Sequence, residues 1–506
     1  MRNNVLDYLD EIVGIKPDKV AFADDKEEFT FKQTYDVSRA IGSSILKKGI
    51  ERKPVVVFMR KHPKEIVTFF GVIKAGSFYV PIDEEMPEAR ISLILENVMA
   101  PLLICDDETY EKALTFKFEG EIVNYSDISE TKEEPELLDK AYCRALDTDP
   151  IYIVFTSGST GVPKGVAACH RSVLDYVEQL SDTLGFNEDT VFGNQTPLYF
   201  DACLKELYPT LKYGATTYLI PRSLFMMPVK LVEYLNENKI NTICWVVSAL
   251  TLISAFGTFD KVKPEYLHTI AFGSEVFPIK QFKIWKTTLP DASFTNLYGP
   301  TEGTGMCCFY HVDRDFEETD MIPIGRPFKN TEILLLKERK ELAGPGEEGE
   351  MCIRGTSVTL GYYNNPEKTN ESFIQNPLNT AYPEIIYCTG DIGKYNEYGE
   401  LIFVSRKDYQ IKHMGHRIEL GEIEINASTV AGIRFAACIY DNKDGKIVIY
   451  YVGDPTEAEF VKALRSKLPR YMLPNVTHKL PQMPLTANGK IDKVTLKKMY
   501  EGESDS

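Results

Sequence analysis

At 506 residues the chain exceeds the length at which a single hydrophobic core stops growing, so at least two domains are expected. Its 74 acidic against 57 basic residues give a formal net charge of -17, which argues against nucleic acid or an anionic membrane as partner, since either calls for a cationic face. No apolar run approaches the ~20 residues that span a bilayer, and the opening MRNNVLDYLDEIVGIKPDK lacks the charged-then-apolar order of a signal peptide, so a cytoplasmic location is expected.

In chain order, short β-branched runs such as Val55-Val56-Val57-Phe58 and Ile151-Tyr152-Ile153-Val154-Phe155 alternate with longer helical patterns over roughly the first 400 residues, which implies α/β layers with largely parallel sheets. The acidic stretch 130–136 reads as a solvated loop. The ten cysteines are scattered, form no Cys-x-x-Cys pair and mostly sit in apolar runs, as Cys105 and Cys438 do. They read as reduced, buried thiols rather than a disulfide framework or zinc site. Near the C-terminus, 435–440 and 447–452 flank Asp444-Gly445 as a hairpin. The next helix starts at Thr456 with Glu459 three residues on, a capping box, sets Phe460, Leu464 and Leu468 on one face and ends at Pro469. These features predict a large α/β domain over 1–405 and a small α+β domain over 406–506, joined near Ser405-Arg406-Lys407-Asp408.

Four segments carry chemistry. Thr156-Ser157-Gly158-Ser159-Thr160-Gly161-Val162-Pro163-Lys164-Gly165 follows an apolar strand; its glycines admit an anion close to the backbone, and its hydroxyls and amides suit phosphate oxygens. It lacks the Gly-Lys-Ser/Thr ending of a Walker loop, and taken alone it also reads as a polar surface loop. Asn296-Leu297-Tyr298-Gly299-Pro300-Thr301-Glu302 presents a ring, a hydroxyl and a carboxylate on one turn, suited to stacking a base and holding Mg²⁺; alone, it is also a plain turn. Tyr387-Cys388-Thr389-Gly390-Asp391 enters a hairpin turning at Tyr398-Gly399, and pairing across it brings Asp391 beside Arg406, either to bind ribose and phosphate oxygens or as a structural ion pair. Asn488-Gly489 forms a tight turn that projects Lys490, which in isolation is an ordinary surface lysine.

Together and in this order the segments resemble the adenylate-forming superfamily of acyl-CoA synthetases, luciferases and nonribosomal peptide synthetase adenylation domains. The likeness extends to Lys74-Ala75-Gly76-Ser77-Phe78-Tyr79-Val80-Pro81-Ile82-Asp83, to Gly349-Glu350-Met351-Cys352-Ile353-Arg354-Gly355 and to Arg417-Ile418-Glu419-Leu420-Gly421-Glu422-Ile423-Glu424. It is nearest to the amino-acid-activating branch, including freestanding D-alanine:carrier protein ligases, because Leu468-Pro469-Arg470-Tyr471-Met472-Leu473-Pro474 precedes Asn488-Gly489-Lys490. The resemblance implies the adenylate-forming fold with a small mobile C-terminal lid, ATP and Mg²⁺ as cofactors, and hinge residues Lys407 and Asp408, with Gly415 in the segment that would line a thiol tunnel. It implies catalytic roles for Lys490, Thr301 and Glu302, with Glu302 at the metal. ATP would be held by Thr156, Ser157, Gly158, Ser159, Thr160, Gly161, Lys164, Gly273, Ser274, Asn296, Tyr298, Gly299, Asp391 and Arg406.

The resemblance also assigns the acid pocket to Asp201, Ala202, Lys205, Cys244, Ile270, Phe272, Leu297, Gly305 and Met306. Asp201 stands where amino-acid-activating members bind the substrate ammonium, whereas aryl- and fatty-acid-activating members usually lack a carboxylate there. Lys205 leaves two substrate classes open: pointing inward it favours an acidic or polar side chain, while pairing with Asp201 or reaching solvent would leave a small apolar pocket. Cys203, Cys388 and Ser405 depart from residues common in the family and remove no catalytic group. The chain ends about a dozen residues after Lys490, so the implied phosphopantetheinylated carrier protein would act in trans, with Lys462, Arg465, Lys467 and Arg470 as its docking cluster or simply a solvated face. The alternatives are an acyl-CoA ligase, against which Asp201 argues, and a non-catalytic nucleotide-binding protein, against which Glu302, Asp391 and Lys490 argue.

Overall fold

The computed structural model describes residues 2–158, 161–407, 410–485 and 491–504. The chain divides into two compact units, the first formed by Met1–Glu84, Val98–Phe155 and Gly165–Lys407, the second by Glu85–Asn97, Thr156–Lys164 and Asp408–Ser506.

In the first unit, one six-stranded sheet runs in the order Glu121–Asn124, Leu102–Cys105, Pro54–Phe58, Phe78–Ile82, Pro150–Thr156, Lys164–Cys169. Its strands pair in parallel from Glu121–Asn124 through Pro150–Thr156. The three central members, Leu102–Cys105, Pro54–Phe58 and Phe78–Ile82, are buried along their whole length, which is why they read as unbroken apolar runs rather than alternating ones. A nine-stranded sheet has a parallel centre, with Thr242–Val246, Thr269–Gly273 and Ser293–Tyr298 adjacent and in register, and antiparallel strands at both margins.

The third sheet differs from the expectation of largely parallel strands. Thr331–Lys337, Gly349–Gly355, Ile385–Tyr395, Phe373–Gln375 and Leu401–Arg406 pair antiparallel throughout. Links such as that between Tyr395 and Leu401 are too short for the crossover that parallel pairing needs. The acidic stretch is likewise only partly a loop, because Pro135 opens the helix Pro135–Arg144 and Glu136 lies in its first turn.

In the second unit, the hairpin of Ile433–Asp441 and Lys446–Gly453 takes Val476–Lys479 as a third, parallel strand. The helix Glu457–Arg465 starts with the reciprocal Thr456–Glu459 capping box. It ends three residues before Leu468, which is nonetheless buried with Phe460 and Leu464 in the core of this unit. All ten cysteines are free, and all but Cys143 are buried. Among the described residues no helix is long and apolar enough to cross a membrane.

Candidate active site

In the first unit the chain leaves the strand Val191–Asn194 and makes a single 3-10 turn, Asp201–Cys203, that runs into the helix Leu204–Tyr213. This places Asp201 one turn ahead of Lys205. A second 3-10 turn, Thr301–Gly303, follows the strand Ser293–Tyr298 and faces the first. The Thr301 hydroxyl donates to Asp201 Oδ1 at 3.2 Å, and the Gly305 N–H also points to that carboxylate. Burial pushes the Asp201 carboxyl up to about 6; Thr301 and the positive charge of Lys205 oppose the rise, and neighbouring Glu302 adds to it.

Glycine is required at two points of this wall. A Cβ on Gly299 would lie 2.3 Å from the Gly305 carbonyl oxygen, so the two backbone strands touch. Gly305 has φ 81°, and a Cβ there would stand 3.2 Å from the Tyr176 ring. Glu302 is fully buried and accepts a 2.7 Å hydrogen bond from the Tyr362 hydroxyl.

Cys244, Leu297 and Met306 share one hydrophobic core with Tyr176, and Ala202 lies in the same turn as Asp201. Ile270 and Phe272, assigned to the pocket from the sequence, instead pack in the second core with Trp245, Phe277 and Phe282. The register explains this. Cys244 pairs with Ala271 and Trp245 with Phe272, so alternation puts Phe272 and Cys244 on opposite faces. Two residues missed in the sequence lie close to this site: Tyr176, against Gly305 with its hydroxyl unpartnered, and Glu206, next to Lys205 and fully buried with its Oε1 unpartnered. Both lie on helices with ordinary amphipathic patterns, and no local motif marks them.

The strand pairing puts Asp391 directly opposite Arg406, as the turn spacing predicts. The Arg406 guanidinium donates to Asp391 Oδ1 and to the Thr389 carbonyl. The Tyr298 hydroxyl donates to Asp391 Oδ2, and the buried Tyr298 ring packs against Val166 and Cys307. Asn296 donates to the Pro323 carbonyl at 2.8 Å, Gly273 ends its strand against the Leu297 carbonyl, and Ser274 follows at φ 69°. Lys407 donates its backbone N–H to the Gly390 carbonyl and sets its ammonium 3.5 Å from Glu350.

In the second unit the described residues of the hydroxyl-rich loop lie against the stretch 417–425. The Gly158 N–H donates to Glu422, which also forms a buried ion pair with Arg90, and Ser157 donates to the Arg417 carbonyl. Gly161 faces Ile425, Lys164 lies 4.0 Å from Glu419, and Thr156 keeps a buried hydroxyl with no partner. A backbone N–H already holding a carboxylate is suited to an anion. Ser159, Thr160, Asp408 and Lys490 lie outside the described residues.

No group of three metal-ligating side chains exists among the described residues. Glu302 supplies one hard carboxylate, the donor set Mg²⁺ accepts when nucleotide phosphates complete its coordination.

An α/β chain with this order of motifs and a carboxylate set in the opposing turns is an adenylate-forming enzyme. The AMP-binding enzyme family profile matches residues 9–363, and the chain belongs to that family. It is 30% identical to tyrocidine synthase 1 of Brevibacillus parabrevis over 95% of its own length and 43% of that protein. It is 31% identical to surfactin synthase subunit 3 of Bacillus subtilis over 97% of its length and 38% of that protein. The chain thus spans less than half the length of these relatives. Its fold is that of the adenylation domain AlmE of Vibrio cholerae, solved with glycyl-adenosine-5'-phosphate, at TM-score 0.84 and 18% identity over 99% of this chain and 98% of that one. The fused adenylation and carrier di-domain NpsA-ThdA of Klebsiella oxytoca gives TM-score 0.80 and 21% identity over 94% and 93%.

Proposed function

We propose that this protein activates the carboxylate of an amino acid with ATP, forming an aminoacyl-AMP and releasing pyrophosphate, and passes the acyl group to the phosphopantetheine thiol of a separate carrier protein. The observation that carries the reading is Asp201, a carboxylate held by Thr301 and Gly305 and pushed up to about 6 by burial, a poor place for an anion unless a cation joins it. The ammonium of an amino acid is such a cation. Kinship with the tyrocidine and surfactin synthases supports the same choice, as does the likeness in fold to a di-domain that includes a carrier.

In this reading Asp201 orients the substrate by its ammonium, and Thr301 keeps the carboxylate turned toward it. Asp391, fixed by Arg406 and Tyr298, accepts from the ribose hydroxyls. Thr156, at the start of the loop, offers its unpartnered hydroxyl to phosphate oxygens, with Lys164 adding charge. Lys490 opposes the negative charge that builds as the substrate carboxylate meets the α-phosphate. Mg²⁺, held through Glu302, neutralises phosphate charge when bound. Residues 1–405 then form the adenylation domain and 406–506 a lid that carries Lys490, with Lys407 and Asp408 as its hinge.

ATP–pyrophosphate exchange across all proteinogenic amino acids, their enantiomers and β-alanine tests the reading. Exchange dependent on one or a few amino acids is expected, and a flat response overturns it. Thioester formation offered coenzyme A and a phosphopantetheinylated carrier side by side then separates a carrier ligase from an acyl-CoA ligase.

A further inference from the structure

Lys205 is 3% exposed and makes neither a hydrogen bond nor an ion pair with any described residue. It does not pair with Asp201 although the two are one helical turn apart; that carboxylate accepts from Thr301 instead. It stands on the helix that continues the Asp201 turn, and its positive charge opposes the rise that burial gives the Asp201 and Glu206 carboxyls. Glu206 is a weak counter-ion: it is fully buried, accepts from Asn194 at 3.3 Å with one oxygen, and burial pushes its carboxyl up to about 7. The hydroxyls of Tyr176 and Tyr152, both within reach of the Asp201 charge, are also buried without partners.

A lysine buried along its length with no protein acceptor for its ammonium is costly, and it persists where an anion arrives to join it. Resting on the amino-acid reading above, the substrate's ammonium goes to Asp201 and its reacting carboxylate to ATP, which leaves only the side chain to face Lys205. We infer that the pocket selects a dicarboxylic amino acid, with Lys205 as the residue that recognises the side-chain carboxylate. Asp201 then meets the substrate's ammonium and Lys205 its second carboxylate. An amide side chain would meet the donors but leave the charge, and an apolar one would leave both.

The test is pyrophosphate exchange by the full chain on isosteric pairs, glutamate against glutamine and aspartate against asparagine in both enantiomers, with a panel of neutral amino acids alongside. One dicarboxylic acid is expected to exceed its amide in kcat/KM by on the order of 100-fold. Lys205→Met, of similar length and apolar, is expected to shift the preference to neutral substrates and to raise the unfolding temperature of the ligand-free protein. A wild-type protein that prefers a neutral amino acid overturns the inference and leaves the amino-acid reading standing. Exchange with no amino acid at all overturns both. The wild-type comparison decides the matter even if the variant fails to fold.

Discussion

Replacing Asp201 by Asn is expected to trade activity for stability. Burial raises the Asp201 carboxyl from the ordinary 3.8 to about 6. At 1.36 kcal/mol per pH unit, the ionised group in the empty pocket therefore costs the fold about 3 kcal/mol at neutral pH. The sign follows from the direction: a raised carboxyl stabilises below the unfolded value near 4, and that contribution is lost as pH rises through 6. At pH 7.5 the Asn variant should thus be the more stable protein without ligand, by at most about 3 kcal/mol and by less if the amide meets Thr301 and Gly305 poorly. The same energy is what an arriving ammonium recovers, so kcat/KM for the amino acid should fall by roughly 100-fold in the variant. The wild type should lose activity below pH 6 as Asp201 takes up its proton, and the variant should lack that acidic limb. Pyrophosphate exchange from pH 5 to 8, paired with thermal unfolding of the ligand-free proteins, reads all of these. A loss of less than about tenfold, or equal use of the des-amino acid by the wild type, would refute the assignment of the ammonium to Asp201.

Lys490→Ala should lose pyrophosphate exchange by on the order of 100-fold, about 3 kcal/mol of barrier, with an unchanged unfolding temperature; near-normal exchange would remove the lysine from the reaction. Asp391→Ala leaves the Arg406 guanidinium, 9% exposed, without its carboxylate, and urea unfolding should register a loss of about 3–5 kcal/mol. A change under about 1 kcal/mol would mean that Arg406 is solvated in the variant. Gly305→Ala forces a side chain into φ 81° and against the Tyr176 ring, and should cost about 1–3 kcal/mol in the same measurement while raising KM for the amino acid.

What the sequence makes legible here is local. The Tyr398-Gly399 turn fixes the register that sets Asp391 against Arg406, and Thr456 with Glu459 writes its own helix start. The order of motifs carries the family because each is a short contiguous stretch. Properties that depend on which way a side chain faces are not written locally. Ile270 and Phe272 leave the acid pocket because strand register, not spacing along the chain, chooses the face. Lys205 is one lysine in an amphipathic helix until the structure shows it buried with no partner among the described residues. Tyr176 becomes a pocket residue only through its contact with Gly305, far along the chain. The carboxylate of Glu422 on the Gly158 amide is of the same kind, a pairing across 264 positions.

The contact between Gly305 and Tyr176 constrains how this pocket can change. With a left-handed backbone and an aromatic ring at the Cβ position, site 305 offers no route for resizing the cavity one substitution at a time. Variation that retunes the substrate must therefore come from the other walls, with positions 205, 244 and 306 free to trade charge and volume. A library built to redirect the enzyme gains by holding residue 305 fixed and diversifying those three together.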